Sequence, residues 1–239
     1  HKNYYIYRDT NGDRRWRMLP WDKDLTLGRN YTNTGGVLND TIWYRNDPQS
    51  HPLFGDSGHP KIDGFYNRLI HRMLSTPKIR RMYLRRLRTL MDEFLNESTT
   101  PTSQRYYESR IATLEALMSQ DVAVDRARWG IPRYGNRNQS FSQAIDILKN
   151  TYLNGRRTHF FQTHNPSLIP NAQKVFGLSF GFGQIEVTPS SNNIQEQFVE
   201  IVSCNPGTVD MSGWQLRGSG IQYTFRPGTV LDSNSSSYV

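Results

Sequence analysis

Residues 3–28 read NYYIYRDTNGDRRWRMLPWDKDLTLG and carry the pattern of a β-hairpin. Two aromatic-rich runs, at residues 4–8 and 14–19, have the composition of short strands, and turn residues separate them. The turn contains an Asn-Gly pair, which favours a two-residue hairpin loop because both of its central positions take a positive φ. The opening of the chain therefore predicts two antiparallel strands joined by a tight turn.

Polar side chains flank this hairpin at the end opposite the turn. Asn3 stands at the entrance, and the acidic pair Asp22 and Asp24 follows the second run. Because antiparallel pairing brings entrance and exit side by side, an amide oxygen and one or two carboxylates would converge there. Such hard oxygen ligands are those that Mg²⁺ prefers. The sequence therefore predicts a metal site at the open end, although a turn or a helix cap would also explain an isolated acidic pair.

The same residues closely resemble the spore coat protein H (CotH) kinase family, whose members carry an N-Y-Y-x-Y strand followed by a P-W-D-x-D-x-x-x-G segment. The two motifs fall here at residues 3–7 and 20–28. In protein kinases an Asn and an Asp on either side of a hairpin hold the magnesium ions that neutralise the ATP phosphates. The resemblance implies ATP and Mg²⁺ or Mn²⁺ as cofactors, with Asn3 and Asp22 as metal ligands and Asp24 as the assisting or alternate ligand.

The resemblance also implies parts that would precede this sequence. The catalytic base of a kinase is an Asp five residues before the metal-binding Asn, a position that here would lie upstream of His1. The phosphate-binding Lys, its Glu partner and the glycine-rich loop would lie further upstream. We therefore expect the sequence to be a segment of a longer protein and to be inactive by itself.

Composition sets wider bounds on the function. The 239 residues carry a net charge of +8, which suggests an anionic partner such as ATP, an acidic protein, an envelope polymer or nucleic acid. No apolar run approaches the roughly 20 residues that a membrane span needs. The single cysteine, Cys204, excludes an internal disulfide framework and is expected to be a buried, inert thiol. The six histidines lack the spacing of a zinc site.

Helical periodicity dominates the middle of the chain. The predicted helices span residues 64–74, 77–96, 102–122 and 140–161. Residues 126–137 read as a loop. The second helix has a basic side, which a solvated face explains more simply than a nucleic-acid surface; this side consists of Lys78, Arg81, Arg85 and Arg88. Consecutive helices after a metal-binding hairpin are the layout of a kinase C-lobe.

The periodicity changes to that of strands after the Pro- and Asn-rich residues 165–171. Short strands are predicted at residues 185–187, 198–202, 214–216 and 221–225. Short strands at even spacing are typical of an all-β sandwich.

Three segments of this part, residues 197–201, 209–214 and 223–229, resemble the lamin tail domain, an immunoglobulin-like sandwich. The resemblance implies that Trp214 is a core residue and that Asp210 and Gly213 are turn residues. The later strands of that domain have no counterpart here, so we expect an unpaired edge strand and a partly bare core.

The predicted fold class is α+β, with a kinase-like C-lobe, made of a β-hairpin plus helices, followed by a partial immunoglobulin-like β-sandwich. Residues 1–168 would form the lobe, residues 169–182 a linker and residues 183–239 the truncated sandwich.

The leading functional interpretation is a secreted, bacterial, atypical protein kinase that transfers phosphate from ATP to protein hydroxyls. Its lamin-tail-like module could bind an envelope or matrix polymer, and an extracellular or cell-surface location follows from the resemblance. The alternative is a non-catalytic surface-binding or scaffold protein built on a kinase-like fold. Nucleic-acid binding through the basic helix would rest on charge alone and ranks last.

Overall fold

The computed structural model describes residues 4–12, 14–21, 27, 30–31, 38–39, 68–130, 139–165, 167–218 and 220–238. Two compact units divide the chain, one of residues 1–52 with 111–156 and the other of residues 53–110 with 157–239. Helices dominate the middle of the chain and strands its last third, the mixed content of an α+β protein. Within the described ranges, no helix has both the length and the apolar character to cross a membrane.

The first unit begins with an antiparallel hairpin. Its strands are β1 (Tyr4–Arg8) and β2 (Trp16–Pro20), and their register runs from the pair Tyr4↔Pro20 to the pair Arg8↔Trp16. A second, two-residue ladder joins β3 (Asn30–Tyr31) to β4 (Leu38–Asn39). The predicted hairpin is therefore confirmed, although β2 begins two residues later than expected.

The hairpin turn differs from the predicted Asn-Gly turn. The Asp9 carboxylate accepts hydrogen bonds from the backbone N–H groups of Asn11 and Gly12, both at 3.0 Å. Gly12 does not have a positive φ, whereas Arg14 does, at 55°. The two-residue turn was the wrong prediction because the Asp9 side chain caps both amides and supports a longer loop.

The helices of the middle part largely follow the sequence pattern. Helix α1 (Arg68–Leu74) ends where predicted, and the start predicted for it lies outside the described residues. Helix α2 (Pro77–Leu90) has proline at its first position and continues through a π-helical turn, Met91–Leu95. Asn96, with a φ of 58°, ends it at the predicted residue.

Helix α3 (Tyr106–Trp129) is longer than predicted. It follows a short 3₁₀ turn, Thr102–Gln104, and continues about seven residues past the expected end. No Gly or Pro interrupts it before Gly130, whose φ of 74° and N–H bond to the Arg126 carbonyl stop the helix. The loop predicted at residues 126–137 therefore begins too early.

A helical stretch begins at Ser140, as predicted. The Ser140 hydroxyl accepts from the Gln143 N–H at 3.1 Å, and the Gln143 side chain accepts from the Ser140 N–H at 2.8 Å, forming a capping box. The stretch alternates α-helical and π-helical segments, which are α4 (Phe141–Asp146), Ile147–Leu153, α5 (Asn154–Arg157) and Thr158–Thr163.

Arg88 of α2 lies in the core rather than on the solvated face predicted for it. Its side chain is 5% exposed, and its guanidinium donates to the Asp92 carboxylate at 2.9 Å and to Glu97 at 3.2 Å. The Phe161 ring lies against it, 5.1 Å from the guanidinium carbon. The prediction was wrong because the acidic side chain one turn later compensates the buried charge. The surrounding cluster comprises Leu84, Met91 and Ile169, with Tyr83, Leu87, Phe160, Phe161 and Leu168 packed against it.

Three other arginines of α2, Arg81, Arg85 and Arg86, contact the strand-rich part of the same unit. Arg81 donates two hydrogen bonds to Asp232, at 3.0 and 2.6 Å. Arg86 donates to Asp210 at 3.1 Å. Arg85 lies with them and donates only to backbone carbonyls, and burial lowers its pKa. Arg85 and Arg88 of the predicted basic side are therefore engaged by protein groups, whereas Lys78 is exposed as predicted and Arg81 is exposed while paired with Asp232.

Seven strands follow in the described residues after 167, and their pairings there are antiparallel. They are β5 (Phe180–Glu186), β6 (Phe198–Ser203), β7 (Val209–Asp210), β8 (Gln215–Gly218), β9 (Ile221–Thr224), β10 (Val230–Leu231) and β11 (Ser236–Tyr238). The described residues pair them as β11-β6-β5, β10-β7 and β8-β9. Their core is formed by Val199, Ile201, Val209, Met211, Phe225 and Leu231. The four predicted strands are present, whereas the immunoglobulin-like sandwich stays a prediction.

Asp210 is a buried strand residue and not the turn residue expected from the resemblance. Its backbone N–H and C=O both bond to the Gln173 side-chain amide. Burial opposes its ionisation, but hydrogen bonds from the Ser212 hydroxyl and backbone N–H, with those from Thr89 and Arg86, lower its pKa overall. The expectation failed because a carboxylate with this many donors can replace an apolar residue in a core.

Two further expectations for this part were wrong. Trp214 precedes β8 and is 36% exposed, with its ring edge-on to Phe180 at 5.5 Å rather than in the core. Cys204 is exposed, because the alternation along β6 turns Ser203 inward and leaves the next residue facing out. Gly213 is a turn residue as predicted, with a φ of 76°.

Strand β5 has an apolar side that the described residues leave uncovered. Phe182 is paired with buried Ile201, and Ile185 with buried Val199, so both face the side of the core. They are nevertheless 64% and 55% exposed. The truncated sandwich with a partly bare core stays a prediction, as does the assignment of residues 1–168, 169–182 and 183–239 to two domains and a linker.

A buried ion pair fixes the end of the π turn after α2. Arg157 donates to the Glu108 carboxylate and to the backbone carbonyls of Leu95 and Asn96, the latter at 3.0–3.1 Å. Arg105 lies 3.6 Å from the same carboxylate. Burial lowers the pKa of Arg157, and Glu108 opposes that shift. Three chain segments therefore meet at one compensated charge.

Removal of this pair's cation should destabilise the protein strongly. Arg157→Met removes the hydrogen-bonded partner of the buried Glu108 carboxylate and leaves it only Arg105 at 3.6 Å; breaking a buried pair typically costs about 3–5 kcal/mol. Urea unfolding of the full-length protein measures the loss. The matched control is Arg110→Met on the exposed side of α3, for which we expect about 0.5 kcal/mol or less. Equal losses in the two variants would contradict this role.

Stability should also depend on the ionisation of Asp232. The hydrogen bonds from Arg81 outweigh burial and hold the pKa of Asp232 at about 2. Because this lies below the ordinary carboxyl pKa of about 4, the stabilisation is complete above about pH 4 and falls as the pH approaches 2. The urea midpoint of Asp232→Asn should lie below that of the unsubstituted protein at pH 6, and the difference should narrow as the pH falls from about 4 towards 2. If the difference between the two urea midpoints did not change with pH, the ionisation of Asp232 would not contribute to stability.

Candidate functional site

The residues that the sequence links to metal binding border the β1–β2 hairpin along the chain. Asn3 directly precedes β1, and Asp22 and Asp24 follow β2 by two and four residues. All three lie outside the described residues. The structure therefore describes the hairpin that carries them, and their role as ligands stays a prediction.

The hairpin register brings the two flanks of the motif together. Tyr4 and Pro20 are the last pair at the open end. Beyond them, the Trp21 ring packs edge-to-face against the Tyr5 ring, with centroids 6.3 Å apart. The chain segments that lead to Asn3 and away to Asp22 therefore start from paired residues, as a shared site at this end requires.

The donor types in the motif suit a hard divalent cation. An amide oxygen and carboxylates are typical ligands of Mg²⁺ and Mn²⁺, which bind few protein groups and complete their shells with water and phosphate oxygens. Elsewhere, the described portion of the chain contains no group of three or more His, Cys, Asp or Glu side chains that could hold a metal ion.

The turn end of the hairpin carries residues that the sequence analysis did not single out. Arg8, Arg14, Arg15 and Arg17 are all exposed, and Trp16 among them is 68% exposed. The signal was present in the sequence as four arginines within ten residues around a tryptophan. Both strands were interpreted only as a support for the metal motif, so these charges went unassigned.

Comparison with known proteins identifies a family. The family model described as CotH kinase protein matches residues 1–160, about two thirds of the 239-residue chain. The matched range includes the hairpin, both motifs and helices α1 to α5, and it ends before the first strand of the β-rich part. No curated protein and no solved structure matches the chain. Because the match covers more than half of the sequence and contains the two motifs, the chain belongs to the CotH kinase family.

Proposed function

We propose that this kinase-like protein transfers the γ-phosphate of ATP to protein hydroxyl groups. The observation that carries the proposal is the family match over residues 1–160, which includes Asn3, the hairpin and Asp22 in the order of a kinase metal site. The pairing of Tyr4 with Pro20 supports it, because a metal site divided between the two flanks needs that closure.

In this proposal Asn3 and Asp22 hold Mg²⁺ or Mn²⁺, and Asp24 assists or replaces Asp22 as the ligand. A divalent ion held there would neutralise charge on the transferring phosphate. The hairpin keeps the two ligand-bearing segments side by side. The kinase template assigns the base to an Asp five residues before the metal-binding Asn, a position before His1.

The strand-rich part would serve as a lamin-tail-like binding module of a secreted or cell-surface protein, with an envelope or matrix polymer as its partner. The resemblance of residues 197–201, 209–214 and 223–229 supports this assignment. The contacts of Arg81 with Asp232 and of Arg86 with Asp210 indicate that this module is docked on α2 rather than tethered loosely.

A non-catalytic scaffold is the second candidate, and the same contacts favour it. A helix whose arginines hold the β-rich part in place would serve equally well in a protein that uses its kinase-like fold for support. A phosphate-transfer assay distinguishes the kinase from the scaffold, because only the kinase would label a protein with phosphate from ATP.

Asp22→Ala in the full-length protein tests the proposal. With γ-labelled ATP and Mg²⁺ or Mn²⁺, we expect the unsubstituted protein to label itself or a generic protein acceptor. Without the Asp22 carboxylate, labelling should fall at least about a hundredfold, because the metal ion that would neutralise the phosphate charge would no longer be held there. The matched control is Asp121→Ala, an exposed carboxylate of α3, which should label normally.

Mn²⁺ binding, followed by electron paramagnetic resonance, gives a readout that does not depend on activity. Asp22→Ala should bind Mn²⁺ more weakly than Asp121→Ala does. Normal labelling and normal Mn²⁺ binding by Asp22→Ala would remove this residue from the metal site. A folded, full-length protein that labels nothing with either metal would favour the scaffold.

A further inference from the structure

The sheet of β11, β6 and β5 has a side that faces away from the core. The alternation along β6 buries every second residue, so Phe198 and Glu200 lie on this other side. Glu186 of β5 is directly opposite Phe198, and Tyr238 of β11 is directly opposite Glu200. Because opposed residues share a side of a sheet, these side chains lie together. With Ser236, two residues before Tyr238, we call them the outer face.

Two aromatic rings of the outer face form a corner. The rings of Phe198 and Tyr238 are nearly perpendicular, at 82°, with centroids 5.3 Å apart. Tyr238 is 60% exposed, and Phe198 is partly buried. The face of an aromatic ring is electron-rich and attracts cations and polarised C–H groups. The corner is therefore suited to a ligand that carries both.

A fixed carboxylate lies beside the corner. The Gln184 backbone N–H donates to Glu200 at 2.9 Å, and the Ser236 and Tyr238 hydroxyls also bond to this carboxylate. These bonds, with that of Gln184 the strongest, lower the pKa of Glu200, so the group is ionised at neutral pH. The three donors are neutral and orient the carboxylate without cancelling its charge. A carboxylate has about four acceptor positions, which leaves capacity for a further donor.

The outer face is negative although the chain as a whole is positive. Strands β5, β6 and β11 contain Glu186 and Glu200 and no Lys or Arg. In the described part of the chain, neither carboxylate forms an ion pair with a basic side chain, and Glu186 accepts from the Thr188 N–H at 2.8 Å. This side of the sheet therefore favours a cationic partner over the anionic partners that the net charge of +8 suggests.

Glycines of β5 keep the surface beside the carboxylate low. Gly181 is directly opposite Val202 and therefore lies on this side of the sheet, where an added Cβ would meet nothing within 4 Å. At Gly183 an added Cβ would collide with the Glu200 carboxylate. The strand thus places no side chain over Glu200 from these two positions. The surface next to the aromatic corner is correspondingly flat.

We propose that the outer face binds a polysaccharide that carries free amino groups. This partner gives the chemical class of the envelope or matrix polymer and rests on the proposed role of the β-rich part as a binding module, whereas it does not depend on phosphate transfer. Ammonium groups would pair with Glu200 and Glu186, and C–H groups of the sugar rings would pack on Tyr238 and Phe198. The two carboxylates are on diagonal positions about 7–8 Å apart, so successive sugars could engage both.

An amino-sugar polymer fits this surface better than a basic protein segment does. A Lys or Arg side chain brings one charge on a narrow stem, which needs a point contact and no flat neighbourhood. A chain of sugar rings is a broad ribbon, and the low strip along β5 with the adjoining rings offers a broad surface. An anionic polymer would be repelled by both carboxylates.

Fluorescence anisotropy with the full-length protein, without ATP and at about pH 5.5, tests the proposal. The probes are a labelled glucosamine hexamer, its N-acetylated counterpart, a Lys hexapeptide and a Glu hexapeptide. The variant Glu186→Gln/Glu200→Gln removes two charges from the outer face. The matched control, Glu93→Gln/Asp121→Asn, removes two exposed carboxylates from helical segments and gives the same net charge.

We expect the glucosamine hexamer to bind more tightly than its N-acetylated counterpart and to bind more weakly at high salt. The outer-face variant should lose about three- to tenfold in affinity for it, and the control less than about twofold. Tyr238→Leu should lose about threefold, whereas Tyr238→Phe, which keeps the ring, should bind within about twofold of the unsubstituted protein. Urea midpoints show whether each variant folds. If the double variant does not, Glu186→Gln alone should lose about two- to threefold.

Four results would overturn the proposal. They are failure of the glucosamine hexamer to bind, equal binding of the N-acetylated hexamer, equal losses in the outer-face variant and its control, and tighter binding of either peptide through the outer face. Asp22→Ala should bind the glucosamine hexamer normally, because the outer face and the predicted metal ligands belong to different parts of the chain. Binding by a protein that transfers no phosphate would keep the site and reject the kinase function, and phosphate transfer without binding would do the reverse.

Discussion

The second unit depends on the compensation of buried guanidinium groups. A cation taken out of water is tolerable only where carboxylates or carbonyls surround it, because the desolvation of an uncompensated charge exceeds the gain from packing. Arg157 satisfies this condition through Glu108 and two backbone carbonyls, and Arg88 does so through Asp92, Glu97 and an aromatic ring. The C-terminal end of α2 and the first turn of α3 supply the carboxylates and carbonyls that pair with these two arginines. The apolar cluster around Leu84 forms the core of this part of the unit.

The same principle explains how the β-rich part is attached to α2. Two of its acidic residues, Asp210 and Asp232, are buried and accept hydrogen bonds from arginines of that helix. Ion pairs exposed to water contribute little, but these carboxylates are nearly buried and accept additional hydrogen bonds from Ser212 and Thr208. Some of the positive charges of the chain are thus paired with carboxylates of the same protein. A count of charges in the sequence alone overstates what α2 offers to an external polyanion.

Local signals in the sequence predicted much of the fold. Pro77 at the start of α2, the Ser140 capping box and the strand alternation of β6 each act within a few residues, so the pattern contains all the information they need. Long-range compensation was not predictable in this way. The burial of Asp210 depends on Arg86 and Gln173, and that of Arg88 depends on Asn165 and Phe161 as well as on the local Asp92; no periodicity reveals these distant partners. The prediction of an Asn-Gly turn was wrong for a different reason. The Asn-Gly pair favours a two-residue loop, whereas Asp9, two residues before Asn11, caps the longer loop that the structure has. For the candidate site, the sequence indicated the motif residues, and the structure adds the strand register that joins their flanks.

Three π-helical segments, Met91–Leu95, Ile147–Leu153 and Thr158–Thr163, have a consequence for comparison with relatives. Each hydrogen-bonded ring of a π turn holds one residue more than that of an α-helix. The phase of the helix therefore shifts at each segment, and a helical wheel drawn through it assigns later residues to the wrong face. A relative that lacks one of these turns would be one residue shorter there with its packing unchanged. Single-residue gaps in an alignment are accordingly expected inside these helices, where gaps are ordinarily penalised most.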